Sequence, residues 1–170
     1  MSDLQISEFN GNIERPNKVK LIKLTNGLFS KVDDEDFQFL SRFEWKAHFT
    51  GDLWYARAFI DGHHIRMHKL LCPGGWHIDH ENGDSLDNQK HNLRKATQSQ
   101  NMQNQGKRRG GTSKFKGVCW DNKLKGWRAQ ICLNYKTRYI GTFKQEADAA
   151  RAYNSQAEKL FGKYARLNII

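Results

Sequence analysis

The stretch His77-Ile78-Asp79-His80-Glu81-Asn82-Gly83-Asp84-Ser85-Leu86-Asp87-Asn88, continuing through His91-Asn92-Leu93-Arg94 to Ala96-Thr97-Gln98-Ser99-Gln100-Asn101-Met102-Gln103-Asn104, decides how the chain is read. Six of the seven histidines lie between His63 and His91. Histidine is the side chain that ionises nearest neutrality, so it is the natural general base. A carboxylate and an amide oxygen suit a hard cation such as magnesium, which keeps several of its waters. Asp79 beside His80 offers both functions, which are what hydrolysis of a phosphodiester needs. Neighbours on a strand point to opposite faces, so the reading expects a distortion that re-aims this pair. The competing reading is a polar turn-rich loop, because Asp, Asn and His also gather in turns.

The order of typed residues across 79–104 resembles the HNH nucleases of phage and intron homing endonucleases: Asp-His, a Gly-containing loop, Asn-Leu-Arg, then Thr-Gln-Ser-Gln-Asn. The resemblance implies two strands and a helix clasping one metal ion (ββα-metal). It implies His80 as general base and Asp79 as first metal ligand. Asn92, 12 positions after His80 (92 − 80), is implied as the residue that fixes the loop. Asn101, 21 positions after His80 (101 − 80), is implied as the second metal ligand, on the helix. The implied cofactor is a divalent metal, Mg first and Mn second. Residues 66–71 (RMHKLL) resemble the strand that precedes the motif in this family. His68 is read as a packed histidine, with a part in the site as the alternative. Cys72, His64, His68 and His77 lie near one another in sequence, but their spacing fits no paired zinc pattern.

Downstream, 106–113 (GKRRGGTS) reads as a basic linker with nothing to pack. Three short strands follow at about 115–120, 127–133 and 137–143, then a helix over about 144–161 that Gly162 stops. Trp127, Ala129, Ile131 and Leu133 share one strand face, which is expected to pack on the helix; Arg128, Gln130 and Cys132 share the other. Phe115-Lys116-Gly117-Val118, Gly126-Trp127-Arg128-Ala129, Tyr139-Ile140-Gly141-Thr142-Phe143 and the Ala-rich helix resemble the Apetala-type (ethylene-responsive-factor-like) DNA-binding domain over 114–168. That resemblance implies a three-stranded sheet laid in the major groove with a helix behind it. Plant members carry groove-facing arginines where this chain has Cys119, Asp121, Gln130 and Cys132. Affinity is then expected from phosphate contacts, with base reading by Gln130, Arg128 and Tyr139. The DNA-contacting set is Lys107, Arg108, Arg109, Lys116, Lys125, Arg128, Gln130, Lys136, Arg138 and Tyr139. Trp120 and Trp127 are read as core.

Upstream, residues 1–17 read as a loose polar arm. Val19–Thr25 leads into Asn26-Gly27, a hairpin signal. Asp33-Asp34-Glu35-Asp36 reads as the cap and first turn of a helix, its charge favoured by the helix dipole, with a metal site as the rival reading. Trp45–Phe49 and Trp54–Ile60 read as strands.

Charge supports the same division. Residues 106–170 carry 15 Lys+Arg against 4 Asp+Glu, net +11; residues 1–76 carry 10 against 10, and 77–105 carry 3 against 4. The whole excess of +10 sits in the last 65 positions, which points to a polyanion partner. Three cysteines without a CxxC pair argue for a reducing compartment. No apolar run is long enough for a membrane span, and the N-terminus lacks a signal layout. The expected organisation is α+β: an arm (1–17), a nuclease unit (18–105, with its HNH core at 66–105), a linker (106–113) and a DNA-binding domain (114–170). The expected partner is double-stranded DNA, bound by a monomer without an obligate protein partner, in the cytoplasm of a bacterium or a phage-infected host. One catalytic set in the chain predicts a nick. The rival functions are a DNA-binding regulator with an inactive nuclease fold, and an RNA-binding or RNA-cutting protein.

Overall fold

The computed structural model describes residues 18–107 and 110–170. The first strands, β1 (Val19–Lys23) and β2 (Phe29–Asp33), form an antiparallel hairpin with Val19 opposite Asp33. Between them Asn26 and Gly27 both take positive φ, 68° and 72°, the conformation their small side chains allow. Helix α1 (Asp34–Leu40) follows at once, with Asp34, Glu35 and Asp36 in its first turn as the acidic run predicts. Asp33 departs from that expectation. Its carboxylate does not cap α1 but accepts hydrogen bonds from Gln89 Nε2 (3.1 Å) and Lys90 N (2.8 Å). A fully buried carboxylate thereby pins the hairpin to the loop below the site.

Strands β3 (Lys46–Phe49), β4 (Trp54–Ile60) and β5 (His63–Arg66) make an antiparallel meander in that order. Asp61 and Gly62 at the second turn have φ of 48° and 80°, the pair of positive angles a tight two-residue hairpin demands. Ala56 and Ala58 turn inward, joining Ile22, Leu24, Val32, Leu40, Trp45 and Met67 in one core. The expectation of a strand over 66–71 is corrected here: β5 stops at Arg66, and Met67–Leu71 is a short helix, α2. Its first residue, Met67, drops into the core and is wholly buried, which a continued edge strand would not achieve.

Next come β6 (His77–His80) and β7 (Leu93–Ala96), an antiparallel pair with Asp79 opposite Arg94. Helix α3 (Gln98–Asn104) starts with a capping box: Thr97 Oγ1 accepts from Gln100 N (3.2 Å), and Gln100 Oε1 accepts from Thr97 N (2.8 Å). The C-terminal part is a second antiparallel sheet, β8 (Val118–Asp121), β9 (Gly126–Leu133) and β10 (Lys136–Phe143), ordered β10-β9-β8. Helix α4 (Glu146–Phe161) lies against it. Ala129 and Ile131 meet Ala149, Ala150, Tyr153, Ala157 and Phe161, the face the alternation assigned to the helix. Trp127 packs against this core, whereas Trp120 lies over it edge-on with 37% exposure. The linker is less idle than its composition suggests. Ser113 is buried and donates to Glu146 Oε1 (2.6 Å), tying the linker's end to the start of α4. The arm at 1–17 lies outside the described residues.

The two parts touch beside β7. The Tyr164 hydroxyl donates to Lys95 O (3.0 Å), and Arg166 Nη1 donates to Asn82 O (2.6 Å). Among the described residues no helix is long and apolar enough to cross a membrane.

Candidate active site

The antiparallel pair β6–β7, the loop between its strands and helix α3 carry the residues the sequence singled out. His80 is the last residue of β6, and the ladder up to it is regular, so the expected distortion of the strand is absent. Asp79 and His80 instead engage different partners, and both are buried because both sides of the strand end are covered.

His80 Nε2 lies 3.2 Å from Asn88 Oδ1. The amide cannot turn around, because the Ser30 hydroxyl donates to Leu86 O (3.0 Å) and so can only accept from Asn88, whose Nδ2 lies 2.8 Å away. Asn88 therefore presents its oxygen to the ring, Nε2 carries the proton, and Nδ1 is left with the free lone pair. Burial pushes the His80 imidazole below its ordinary pKa, against the opposing pull of Asn88 and of Asp79, Asp84 and Asp87. The ring is thus neutral at neutral pH, the state a proton acceptor needs. His68 stands edge-on to it with centroids 5.0 Å apart, and Tyr55 packs on both rings. Burial and the neighbouring His80 hold His68 down to about 3, so it adds no charge. His68 is a packing wall of the site.

Asn92 braces the loop. Its Oδ1 accepts from Asn82 N (2.9 Å), and its Nδ2 donates to Asp87 O (2.7 Å). It touches the loop backbone and not His80; Asn88 holds the imidazole, a role the sequence reading left unassigned. The Asp79 carboxylate accepts from Arg94 Nε (2.9 Å), and from Asn104 Nδ2 at 3.1 Å on each oxygen. Asn104 Nδ2 also reaches His80 O (2.8 Å). Acceptors on every side identify that atom as the amide nitrogen, so Asn104 donates to the carboxylate and positions it. Asn101 sits one turn earlier on α3; its backbone N–H closes on Thr97 O (3.0 Å). No hydrogen bond among the described residues engages its side-chain amide. Among the described residues no three His, Cys, Asp or Glu side chains cluster as a metal cage, and the cysteines are free, so the rival zinc set does not assemble. The oxygens of Asp79 and Asn101 are hard donors, which fits magnesium.

Arg94 joins this site to the C-terminal part: it donates to Lys163 O (2.8 Å), and its guanidinium lies 4.2 Å from the Tyr164 ring centroid. The residues expected to contact DNA are dispersed. Arg128, Gln130 and Tyr139 share the outer face of the second sheet, with Tyr139 opposite Gln130 and Arg128 within 3.5 Å of Asp121. Lys125 and Lys136 are exposed at its turns. Arg138 pairs with Ile131 and so sits on the helix side, because β10 bulges only after Tyr139. Lys116 is a correction: its ammonium donates to Gln103 O at the junction of the two parts, and burial there pushes it down to about 8. Lys107 is exposed; Arg108 and Arg109 lie outside the described residues. Gln130 and Cys132 border a cavity of about 510 Å³ shared with Met102 and Gln103 of α3.

Comparison with known proteins places this geometry. The profile of the HNH endonuclease family matches residues 68–103. The chain is similar to an uncharacterized HNH endonuclease of Acanthamoeba polyphaga mimivirus, 29% identical over 154 residues that cover 85% of this chain and 76% of the relative. It is also similar to protein 3.8 of Escherichia phage T7, 30% identical over 94 residues, 55% of this chain and 77% of the relative. No solved structure matches.

Proposed function

The chain belongs to the HNH endonuclease family and is a nuclease, and on that premise we propose that it hydrolyses a phosphodiester of double-stranded DNA with His80 as general base. The observation that carries the reading is the buried, neutral imidazole whose Nε2 is committed to Asn88, leaving Nδ1 to take a proton. Water gives that proton to Nδ1 as its oxygen attacks phosphorus. The bond to the 3′ oxygen breaks and that oxygen takes a proton from solvent water, leaving a 5′-phosphate and a 3′-hydroxyl. Asp79 and Asn101 would hold a divalent ion, magnesium or manganese, which when bound neutralises charge on the phosphoryl and leaving oxygens. Asn104 and Arg94 keep the Asp79 carboxylate in place, and Asn92 keeps the 82–87 loop from collapsing on the site.

The C-terminal sheet is proposed as an Apetala-type DNA-binding domain. The net +11 of residues 106–170, the outward set Arg128, Gln130 and Tyr139, and the exposed turn lysines Lys125 and Lys136 support that reading. The test is incubation with supercoiled plasmid and magnesium, with and without EDTA, and mapping of the ends. Magnesium-dependent relaxation to open circle, with 5′-phosphate ends, is expected. Retention of the plasmid in gel shift without any cutting would leave a DNA-binding regulator instead.

A further inference from the structure

The first sheet carries a feature that neither catalysis nor the C-terminal domain uses. Its register sets Lys46 opposite Arg57 and Arg57 opposite Arg66, so three cations stand in a row across β3, β4 and β5. The same face continues with His48 opposite Tyr55 and with Phe59 opposite His64. No carboxylate occupies any of those seven positions. Like charges directly opposite each other destabilise a sheet, so the row works against folding. Among the described residues Arg57 and Arg66 have no acidic partner within salt-bridge distance, and Lys46 meets only the exposed Glu44 at 3.5 Å. An exposed pair of that kind contributes little. The cost of the row shows on its neighbour: His48 is held below its ordinary pKa by desolvation, Arg57, Arg66 and His64 together.

The row is also placed with respect to the chemistry. Arg66 stacks over Tyr55, with its guanidinium 4.5 Å from the ring centroid. The Tyr55 ring also lies against His80, 6.3 Å between centroids. Tyr55 and Arg57 are two residues apart on one strand, about 7 Å. The three cations span two strand spacings, about 10 Å, a length that about three successive phosphates of one strand cover. Phe59, 66% exposed at the far end, adds an apolar ring that a charged surface does not explain.

We propose that the Lys46–Arg57–Arg66 row is a second nucleic-acid contact, a seat for the sugar-phosphate backbone of duplex DNA leading away from the bond at His80. It rests on the nuclease reading above and adds a binding surface in the part of the chain whose net charge is zero. The polyanion removes the cost of the like-charge row, and Tyr55 makes the surface continuous with the site. The duplex is then held on both sides of the cut, by this sheet and by the C-terminal sheet.

The test uses the full chain, a short labelled duplex and EDTA to prevent cutting, with affinity measured by anisotropy across a salt series. The variant is K46Q/R57Q/R66Q. Each lost phosphate contact makes the log–log salt slope shallower by about 0.9, so a change approaching about 2.7 is expected, with tenfold or greater loss of affinity at the lower salt concentrations. Because Arg66 also packs on Tyr55, K46Q/R57Q serves as the second variant, with an expected change of about 1.8. Melting temperatures of both variants should hold or rise as the repulsion is removed. A wild-type slope in both variants overturns the proposal while leaving the nuclease reading intact. A slope change seen only with an RNA of the same sequence overturns it too, since the occupant would then be RNA. A wild-type chain that neither binds nor cuts duplex DNA removes both readings together.

Discussion

His80 and its partner Asn88 carry the sharpest expectations. His80→Ala should lower the cutting rate by about 10²–10⁴ while duplex affinity in EDTA stays near wild type. A wild-type cutting rate in that variant would remove His80 from the chemistry. Asn88→Asp tests the tautomer. In the wild type, burial lowers the His80 pKa, so the neutral base persists below pH 6.5 and the acid limb of the rate profile should lie there. A carboxylate at 88 would favour the imidazolium and raise that pKa, so the acid limb should move to higher pH. Rates near pH 6 should then fall much more than rates near pH 8.5. An unshifted limb would mean that a different group gives up or takes the proton.

At the scale of elements, close backbone approach is what makes the C-terminal sheet and α4 one unit. Gly117 has φ of +75°, and a Cβ there would come within 2.1 Å of the Tyr153 ring and 2.7 Å of Gln130 O. Neither neighbour can yield: Tyr153 is buried among Ile131, Ala157 and Phe161, and Gln130 is in the middle of β9. Gly117→Ala should cost more than about 1 kcal/mol, and a scanning calorimetry or fluorescence melt should show the midpoint lowered by at least about 2–4 °C. The capping box at Thr97 belongs to the same scale. Thr97→Ala should cost about 1 kcal/mol and loosen the helix that carries both Asn101 and Asn104.

Across the whole molecule, the one proposed catalytic set would face a substrate with two strands. The described residues show one β6–β7–α3 unit, and one such site serves one phosphodiester per binding event. Supercoiled plasmid should accumulate as open circle, with little linear product early, and duplexes labelled on each strand should show one strand cut. Equal cutting of both strands by a dimeric enzyme would overturn this. The link between the parts also has a consequence. Tyr164 and Lys163 hold Arg94, which holds Asp79, so the C-terminal part reaches the site's carboxylate through two contacts. Tyr164→Ala should therefore weaken magnesium binding, raising the metal concentration for half-maximal cutting, even though Tyr164 lies far along the chain from the motif.

The amino-acid sequence by itself determined where the nuclease segment lies: the types and spacing of Asp79, His80, Asn92 and Asn101 are local, and a strand pair with a following helix needs only short-range order to place them. It likewise determined the inward face of β9, since strand alternation depends on residue parity alone. Tertiary structure decided what depends on distant neighbours. Asn88 holds His80 only because Ser30, 58 positions away, fixes its amide. Asp33 left the role of helix cap because Gln89 and Lys90 came to it from the other side of the core. Lys116 was withdrawn from the surface by Gln103, and the 66–71 segment turned helical once Met67 had a core to enter. The cation row is the clearest case. Lys46, Arg57 and Arg66 are scattered through a stretch with no net charge, and only antiparallel register, a property of pairing between strands, sets them side by side.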